Sequence, residues 1–489
     1  MSARDARLPS AGTEFSFVGE GNKYRQLSRT LGAVAWAVLF SAAVGLGLAS
    51  AVRLELSSLV IPGLLLSGLS THAFLKTGGV VVNASSTASY AILLFCGFPA
   101  VYIGLGLYSP ASRLPTGFIL AAISMCFLLQ LLVYALASKT SAEPVRMART
   151  ATGVGPRILL SAMLFGGAVL ARVQDVLVLA VPLGMLAILF AADAALSRPK
   201  LSSFVLASMY ASTLSLVYAE IIFAGFGRLV LGVIGCALTI LASLYFRTYW
   251  IKFGLLVLTA PALIYLSLSR LAFLQDIRGS SADSSEGIGS VIGPLVSLGH
   301  IVRALWVGAI TPDPGSTFWA AIVIWIPRSV WPSKPDGFGT EMVSITQPQL
   351  FTTQAFSDAA LLPGELVWNF GLVGGAVSMV VFVLLLRVVD RRMTRQAEGG
   401  FPPQTAMAVV NRLLVVFIAA SLLNLLWGGT FTFVSRALAA MILLLAMAAT
   451  LHMFREIGGR RPKSGRPFGP RQSGNGPTVL VRKPGLDSR

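Results

Sequence analysis

The chain has 489 residues, of which 55% are apolar and only 12% charged, and its mean hydropathy is +0.77. A soluble domain carries about 25% charged residues, so the composition excludes a soluble globular protein and defines an integral membrane protein. The formal charge of +18 does not mark a nucleic-acid binder, because most Lys and Arg fall between apolar runs and in the C-terminal tail, where they set topology.

Residues 1–30 are polar, with Arg4, Arg7, Lys23, Arg25 and Arg29, and read as a cytoplasmic tail. Leu31 to Ser50 supplies the first apolar run, expected to be an uncleaved signal anchor despite small residues at Ala49 to Ala51. Further runs fall near 55–75, 89–108, 116–138, 157–172, 176–196, 202–224, 229–246 and 253–269, and then near 366–386, 413–428 and 434–452. By the length criterion the fold is an all-α polytopic membrane protein of about 12 helices. Nine of them occupy 31–269 and three occupy 366–452, and a basic tail rich in Gly and Pro fills 453–489. The three cysteines, Cys96, Cys126 and Cys236, each lie inside an apolar run and read as small packing residues rather than a disulfide framework or a metal site. Asp193 and Glu220 fall near helix ends, so both are expected at the membrane interface. No ladder of intramembrane carboxylates and no internal repeat is visible, and either would favour a carrier.

Orientation follows from the basic residues. With the N-terminus inside, 28 of the 38 Lys and Arg lie on the cytoplasmic side and 10 outside. The cytoplasmic set includes Lys139, Arg146, Arg149, Arg157, Arg198, Lys200, Arg247, Lys252 and Arg412. Both termini are therefore expected in the cytoplasm, and 270–365 becomes one large extracytoplasmic loop holding the candidate active site.

Loops beyond about 15 residues are usually functional or disordered. In this one Gly279 to Ser290 reads as flexible, and Val291 to Ile310 as a helix lying along the membrane surface. His300 and Arg303 share a helical face, an arrangement suited to a base beside an anion, or equally to a satisfied histidine and a lipid-facing arginine. Phe318 to Ile326 is too short to span and reads as re-entrant, while Pro327, Pro332 and Pro335 keep the next stretch extended. Trp325 and Trp331 suit the interfacial aromatic belt or a sugar-stacking surface. Arg328 and Lys334 place cations at head-group level, where a lipid-linked pyrophosphate or ordinary anionic lipid would meet them. Glu365 and Asn369 share a face at the mouth of the next helix, where the helix dipole favours a carboxylate. That geometry serves sugar-hydroxyl binding or a purely structural role. Arg270 and Arg436 flank the outer ends of spans and complete the substrate-binding set.

The segments IPRSVWPSKP (Ile326 to Pro335) and GELVWNFG (Gly364 to Gly371) together resemble the Wzy-type O-antigen and exopolysaccharide repeat-unit polymerases. The matching residues are Pro327, Arg328, Trp331, Pro332, Lys334, Pro335, Gly364, Glu365, Asn369, Phe370 and Gly371, and they cover about a tenth of the chain. The resemblance implies a GT-C-like fold in the bacterial cytoplasmic (inner) membrane. It also implies a glycosyltransferase without metal, cofactor or nucleotide sugar, fed by undecaprenyl-pyrophosphate-linked oligosaccharides. A protein that regulates chain length and the surrounding membrane lipids are the partners it implies. Within that picture His300, Arg303 and Arg328 are the catalytic set, and Arg270, Trp331, Lys334, Glu365, Asn369 and Arg436 bind substrate. An O-antigen ligase, or a flippase or carrier for lipid-linked oligosaccharides, is the alternative.

Overall fold

The computed structural model describes residues 55–136, 154–174, 176–197, 200–218, 229–278, 284–326, 328–346, 358–397 and 406–459. The first expected span, Leu31 to Ser50, both terminal tails, Glu220, Arg198 and the basic segment Lys139 to Arg149 lie outside them. Every regular element among the described residues is helical. We number them α1 (Val60–Lys76), α2 (Ala84–Gly104), α3 (Thr116–Leu136), α4 (Val154–Val173), α5 (Leu177–Leu196), α6 (Leu201–Val217) and α7 (Leu229–Phe246). They continue as α8 (Tyr249–Arg278), α9 (Ser284–Trp306), α10 (Ser316–Ile322), α11 (Phe338–Thr346), α12 (Leu361–Ala397) and α13 (Ala406–Gly459). Eight elements are long and apolar enough to cross a membrane, and three shorter apolar stretches accompany them in α6, α7 and α8. This is a polytopic helical membrane protein.

Two elements are broken rather than continuous. The helix of α12 is interrupted at Gly371 (φ 69°, ψ −177°) and that of α13 at Gly429 (φ 77°, ψ −170°). Only glycine adopts this region without strain, so each break is written into the sequence by one residue. The two spans expected at 413–428 and 434–452 are two helices that meet at Gly429, the two halves of α13. A milder irregularity is the π turn at Leu93–Gly97 in α2, just before Pro99, whose missing N–H disrupts the regular ladder. Close approach explains Gly63: a Cβ there would lie 2.7 Å from the Val101 nitrogen of α2, so α1 and α2 meet backbone to backbone.

One end of the bundle is closed by buried charge. Asp193, fully buried on α5, accepts two hydrogen bonds from Arg412 of α13 at 2.9 and 2.8 Å, one from Arg157 of α4 at 3.1 Å and one from the Tyr245 hydroxyl of α7 at 2.9 Å. Asp193 lies in the last turn of α5, near a helix end as expected, but it is buried as the hub of four helices rather than turned to a head group. At the same end the Ser243 hydroxyl holds the Val82 N–H at 2.9 Å, and Asp390 of α12 caps the start of α2 through Ser85 N and Oγ at 3.2 and 2.5 Å. Lys252 is also fully buried, donating to the carbonyls of Phe74 and Thr77 at 2.8 and 2.6 Å, where α1 has run out of partners. Arg157, Lys252 and Arg412 were counted above as topology-setting charges. All three are spent inside the protein. Cys96, Cys126 and Cys236 are free and buried, in keeping with packing residues.

The loop region departs most from expectation. The helix α9 begins at Ser284, inside the stretch read as flexible, and its segment Ile288–Trp306 satisfies the criteria for a membrane span rather than for a surface helix. Its glycines show how it packs: a Cβ on Gly299 would strike Leu114 and Phe118 at the start of α3, and one on Gly293 would touch the Tyr108 hydroxyl. The stretch at 318–326 is short as expected, formed by α10 and a single 3-10 turn at Val323–Trp325.

Two guanidinium groups share one carboxylate in the buried hub, which fixes how it responds to deletion. Asp193→Ala leaves both arginines buried without a counter-ion and is expected to cost about 3–5 kcal/mol. Arg157→Met leaves the neutral Asp193–Arg412 pair and should cost well under half of that. Denaturation midpoints of the purified variants in detergent would separate the two; equal losses would mean that the hub is not a cooperative network.

Candidate functional site

The Gly429 break meets the first segment of α12. Thr430 lies 18 residues beyond Arg412, so a rise of 1.5 Å per residue puts the Gly429 break about 27 Å from the Asp193 hub, close to the thickness of a hydrocarbon core. There Glu365, fully buried in the first segment of α12, accepts a hydrogen bond from the Thr430 N–H and another from that of Phe431, the first amides of the second half of α13. A carboxylate at that position satisfies amides freed by the break and complements the helix dipole. Thr317, in the first turn of α10, donates its hydroxyl to Glu365 at 2.9 Å, and Asn369 donates to that hydroxyl at 2.7 Å and to the Glu365 carbonyl at 2.7 Å. The Asn369 amide oxygen also receives the Thr317 N–H at 3.3 Å. Glu365 and Asn369 share a face as the four-residue spacing requires, and both are consumed in clamping α10, α12 and α13 together.

The extended loop packs onto this clamp. A Cβ on Gly337 would lie 2.6 Å from the Phe431 ring, so the loop backbone rests directly on the start of the second half of α13. Phe338 meets Trp368 edge-on, and Ile301, Phe338, Met342, Ala360 and Val367 form a small separate core. Ser297 of α9 donates to Asp358 at 2.7 Å, and the Trp427 indole N–H donates to the Ser290 carbonyl at 2.7 Å. Helix α9 is thereby fastened to both broken helices.

The other expected site residues fall into three groups. His300 is partly exposed and Arg303 exposed, adjacent on α9; among the described residues the Arg303 guanidinium has no hydrogen-bond or ion-pair partner. Trp306 and Val307, 64% and 62% exposed, end the same helix, so the free cation borders an apolar edge. In the second group, Arg328 and Lys334 are engaged in folding their own loop. Arg328 donates to the carbonyls of Pro332 and Lys334 at 3.3 and 3.1 Å and pairs with Asp336, while the Lys334 ammonium donates to the carbonyls of Ile324 and Ile326 at 3.1 and 2.8 Å. Trp331 donates to Ser333 at 3.0 Å. The Pro-Arg to Lys-Pro motif therefore stitches a loop, and no ion pair or hydrogen bond carries it to His300 or Arg303 among the described residues. Arg436 forms the third group, stacked on Trp427 at the Gly429 break. The side chains of Arg270 and Trp325 lie outside the described residues, as does Pro327.

Sequence reasoning passed over Thr317, Thr430 and the role of Trp427. The Trp-Gly-Gly-Thr run at 427–430, interrupting an apolar segment, was the available signal. Glu341 is a further addition. Burial, followed by the nearby carboxylates of Asp336 and Asp313, raises its pKa, against a hydrogen bond from Trp368. Compared with known protein families, curated proteins and solved structures, the chain matches none.

Removing the clamp should be costly. Glu365→Ala strands amides in an apolar setting, with an expected loss of about 1–3 kcal/mol in detergent unfolding; a neutral result would show that the break is solvated. For Glu341 the raised pKa means that the folded protein favours the protonated form. Stability is therefore lost as pH rises from the ordinary glutamate range through the raised folded value. Glu341→Gln should remove that part of the pH dependence, read as the difference between wild-type and variant melting curves across the window.

Proposed function

We propose that the chain is a membrane glycosyltransferase of the Wzy type, which polymerises oligosaccharide repeat units carried on polyprenyl pyrophosphate at the outer face of the cytoplasmic membrane. The observation that carries this reading is the His300–Arg303 pair on α9. It is a titratable imidazole and an unpartnered guanidinium side by side, next to the exposed apolar edge of Trp306 and Val307. A lipid-linked pyrophosphate has the matching parts, an apolar chain and a doubly charged head.

In the proposed reaction the acceptor hydroxyl oxygen of a new repeat unit attacks the anomeric carbon of the growing glycan. A new C–O bond forms, and the bond from that carbon to the pyrophosphate oxygen breaks, its electron pair leaving with the pyrophosphate. The hydroxyl proton passes to the neutral His300 imidazole, and Arg303 stabilises the charge gathered on the leaving group. Arg328 enters differently from the expectation above. Its three protein contacts shape the loop that borders the site, so its contribution is to position rather than to grip. A GT-C-like architecture and cytoplasmic termini belong to the same reading.

A second reading, a carrier for lipid-linked oligosaccharides, draws on the two broken helices, a device carriers use to build their sites. Against it, the polar groups at the Gly429 break, Glu365 and Asn369, are consumed in bonds within the protein, whereas a carrier uses such groups to hold its cargo.

Purified protein in liposomes, supplied with polyprenyl-pyrophosphate oligosaccharide, tests the reading. A ladder of products spaced by one repeat unit is expected, with Arg303→Ala lowering the rate by 100-fold on the order of magnitude for a lost charge stabiliser. Glycan transfer once only, to a different acceptor, would indicate a ligase. Movement of the lipid-linked sugar between leaflets without any product would leave the carrier.

A further inference from the structure

The apolar element Ala406–Thr450 contains two ionisable side chains, Arg412 and Arg436. They have opposite fates. Arg412 is fully paired with Asp193, as an arginine in an apolar setting requires. Arg436, six residues beyond Thr430 and so about 9 Å along the helix from the break, has no carboxylate partner among the described residues. Its Nη1 is buried without any hydrogen-bond partner. The nearest carboxylate at the break, Glu365, is already occupied by Thr317 and Thr430.

What holds Arg436 in place is a ring. Its guanidinium carbon lies 5.3 Å from the centre of Trp427, and that indole is itself pinned by its N–H to the Ser290 carbonyl of α9. Stacking fixes the plane of the guanidinium without using its N–H donors, and leaves the fork directed at whatever occupies the space beside it. The residue as a whole keeps part of its surface exposed, although Nη1 itself is enclosed. A buried charge without a partner is costly, and a planar fork with free donors fits phosphate oxygens bidentately.

We propose that Arg436, held flat against Trp427 at the Gly429 break, binds the phosphate head of a membrane lipid. The proposal deepens the reading above, on which the lipid is the polyprenyl pyrophosphate that carries the glycan. It assigns the grip on the head group to the broken helix instead of the Arg328–Lys334 loop.

The test uses the full chain in nanodiscs of zwitterionic phosphatidylcholine, titrated with polyprenyl pyrophosphate bearing no sugar, with bound lipid read by native mass spectrometry. Arg436→Gln should weaken binding about tenfold or more, and Arg436→Lys, which keeps charge but loses the fork, should fall between. Equal binding by wild type and Arg436→Gln overturns the proposal. Should Arg436→Gln fail to assemble, Trp427→Leu, which keeps the arginine and removes its platform, takes its place, and unchanged binding there overturns it equally. Excess phosphatidylglycerol then separates the sources: binding that survives it assigns the site to polyprenyl pyrophosphate, and displacement assigns it to phospholipid phosphate in general. If the lipid binds through Arg436 but the liposomes yield no polymer, the site stands and the polymerase reading falls. If polymer forms while binding ignores Arg436, the reverse holds.

Discussion

A peptide group in hydrocarbon has no water to turn to, and every helix break in a membrane protein must supply its own partners. In this chain the constraint is met at one point. The carboxylate of Glu365 takes the amides that the Gly429 break releases, and Thr317 and Asn369 hold that carboxylate in position. The short helix α10, the extended loop and α11 are arranged around the same point, with Gly337 allowing the loop to lie against Phe431. The short helix α10, the loop at 328–337 and α11 therefore support the Gly429 break, with Thr317 of α10 holding the carboxylate that takes its freed amide.

Much of the architecture was legible in the residues, for a plain physical reason. Apolar run length is a one-dimensional property, so the spans at 116–138 and 176–196 fall within a few residues of α3 and α5. The misreadings share a cause as well. Asp193 is judged by its nearness to a helix end, and Arg157, Lys252 and Arg412 by the side of the membrane to which they are counted, but burial depends on what other helices bring. A partner 219 residues away cannot be read from local context. The helix α9 was judged by the Gly and Ser at its start and by its modest apolar content. A glycine further along, Gly299, lets it pack tightly against the start of α3.

The candidate site was half legible. The four-residue spacing of Glu365 and Asn369 and the three-residue spacing of His300 and Arg303 follow from helix geometry alone, and both pairs sit as that geometry dictates. Function did not follow spacing, though. Three of the expected substrate contacts, Lys334, Glu365 and Asn369, turn out to hold the protein together, while two expected site cations without a carboxylate partner among the described residues, Arg303 and Arg436, are on α9 and α13. A motif built of Pro, Arg, Trp and Lys reports first on how its own loop is folded, because Arg328, Trp331 and Lys334 each donate to a carbonyl or hydroxyl of that loop.

The hub at the other end of the bundle also bears on how the protein is made. Arg157 and Asp193 belong to neighbouring helices, α4 and α5, and can enter the bilayer together as a neutral hairpin. Arg412 is synthesised more than 200 residues later, in an apolar element, Ala406–Thr450, that holds no carboxylate to shield it. The early hairpin must therefore wait with a carboxylate whose second oxygen is unclaimed by any arginine, and the last helix must arrive with a bare cation. Each is the other's reason to stay inserted. A chain that ends before α13 therefore lacks the arginine that closes the hub, and its Asp193 is left with the Arg157 guanidinium and the Tyr245 hydroxyl alone.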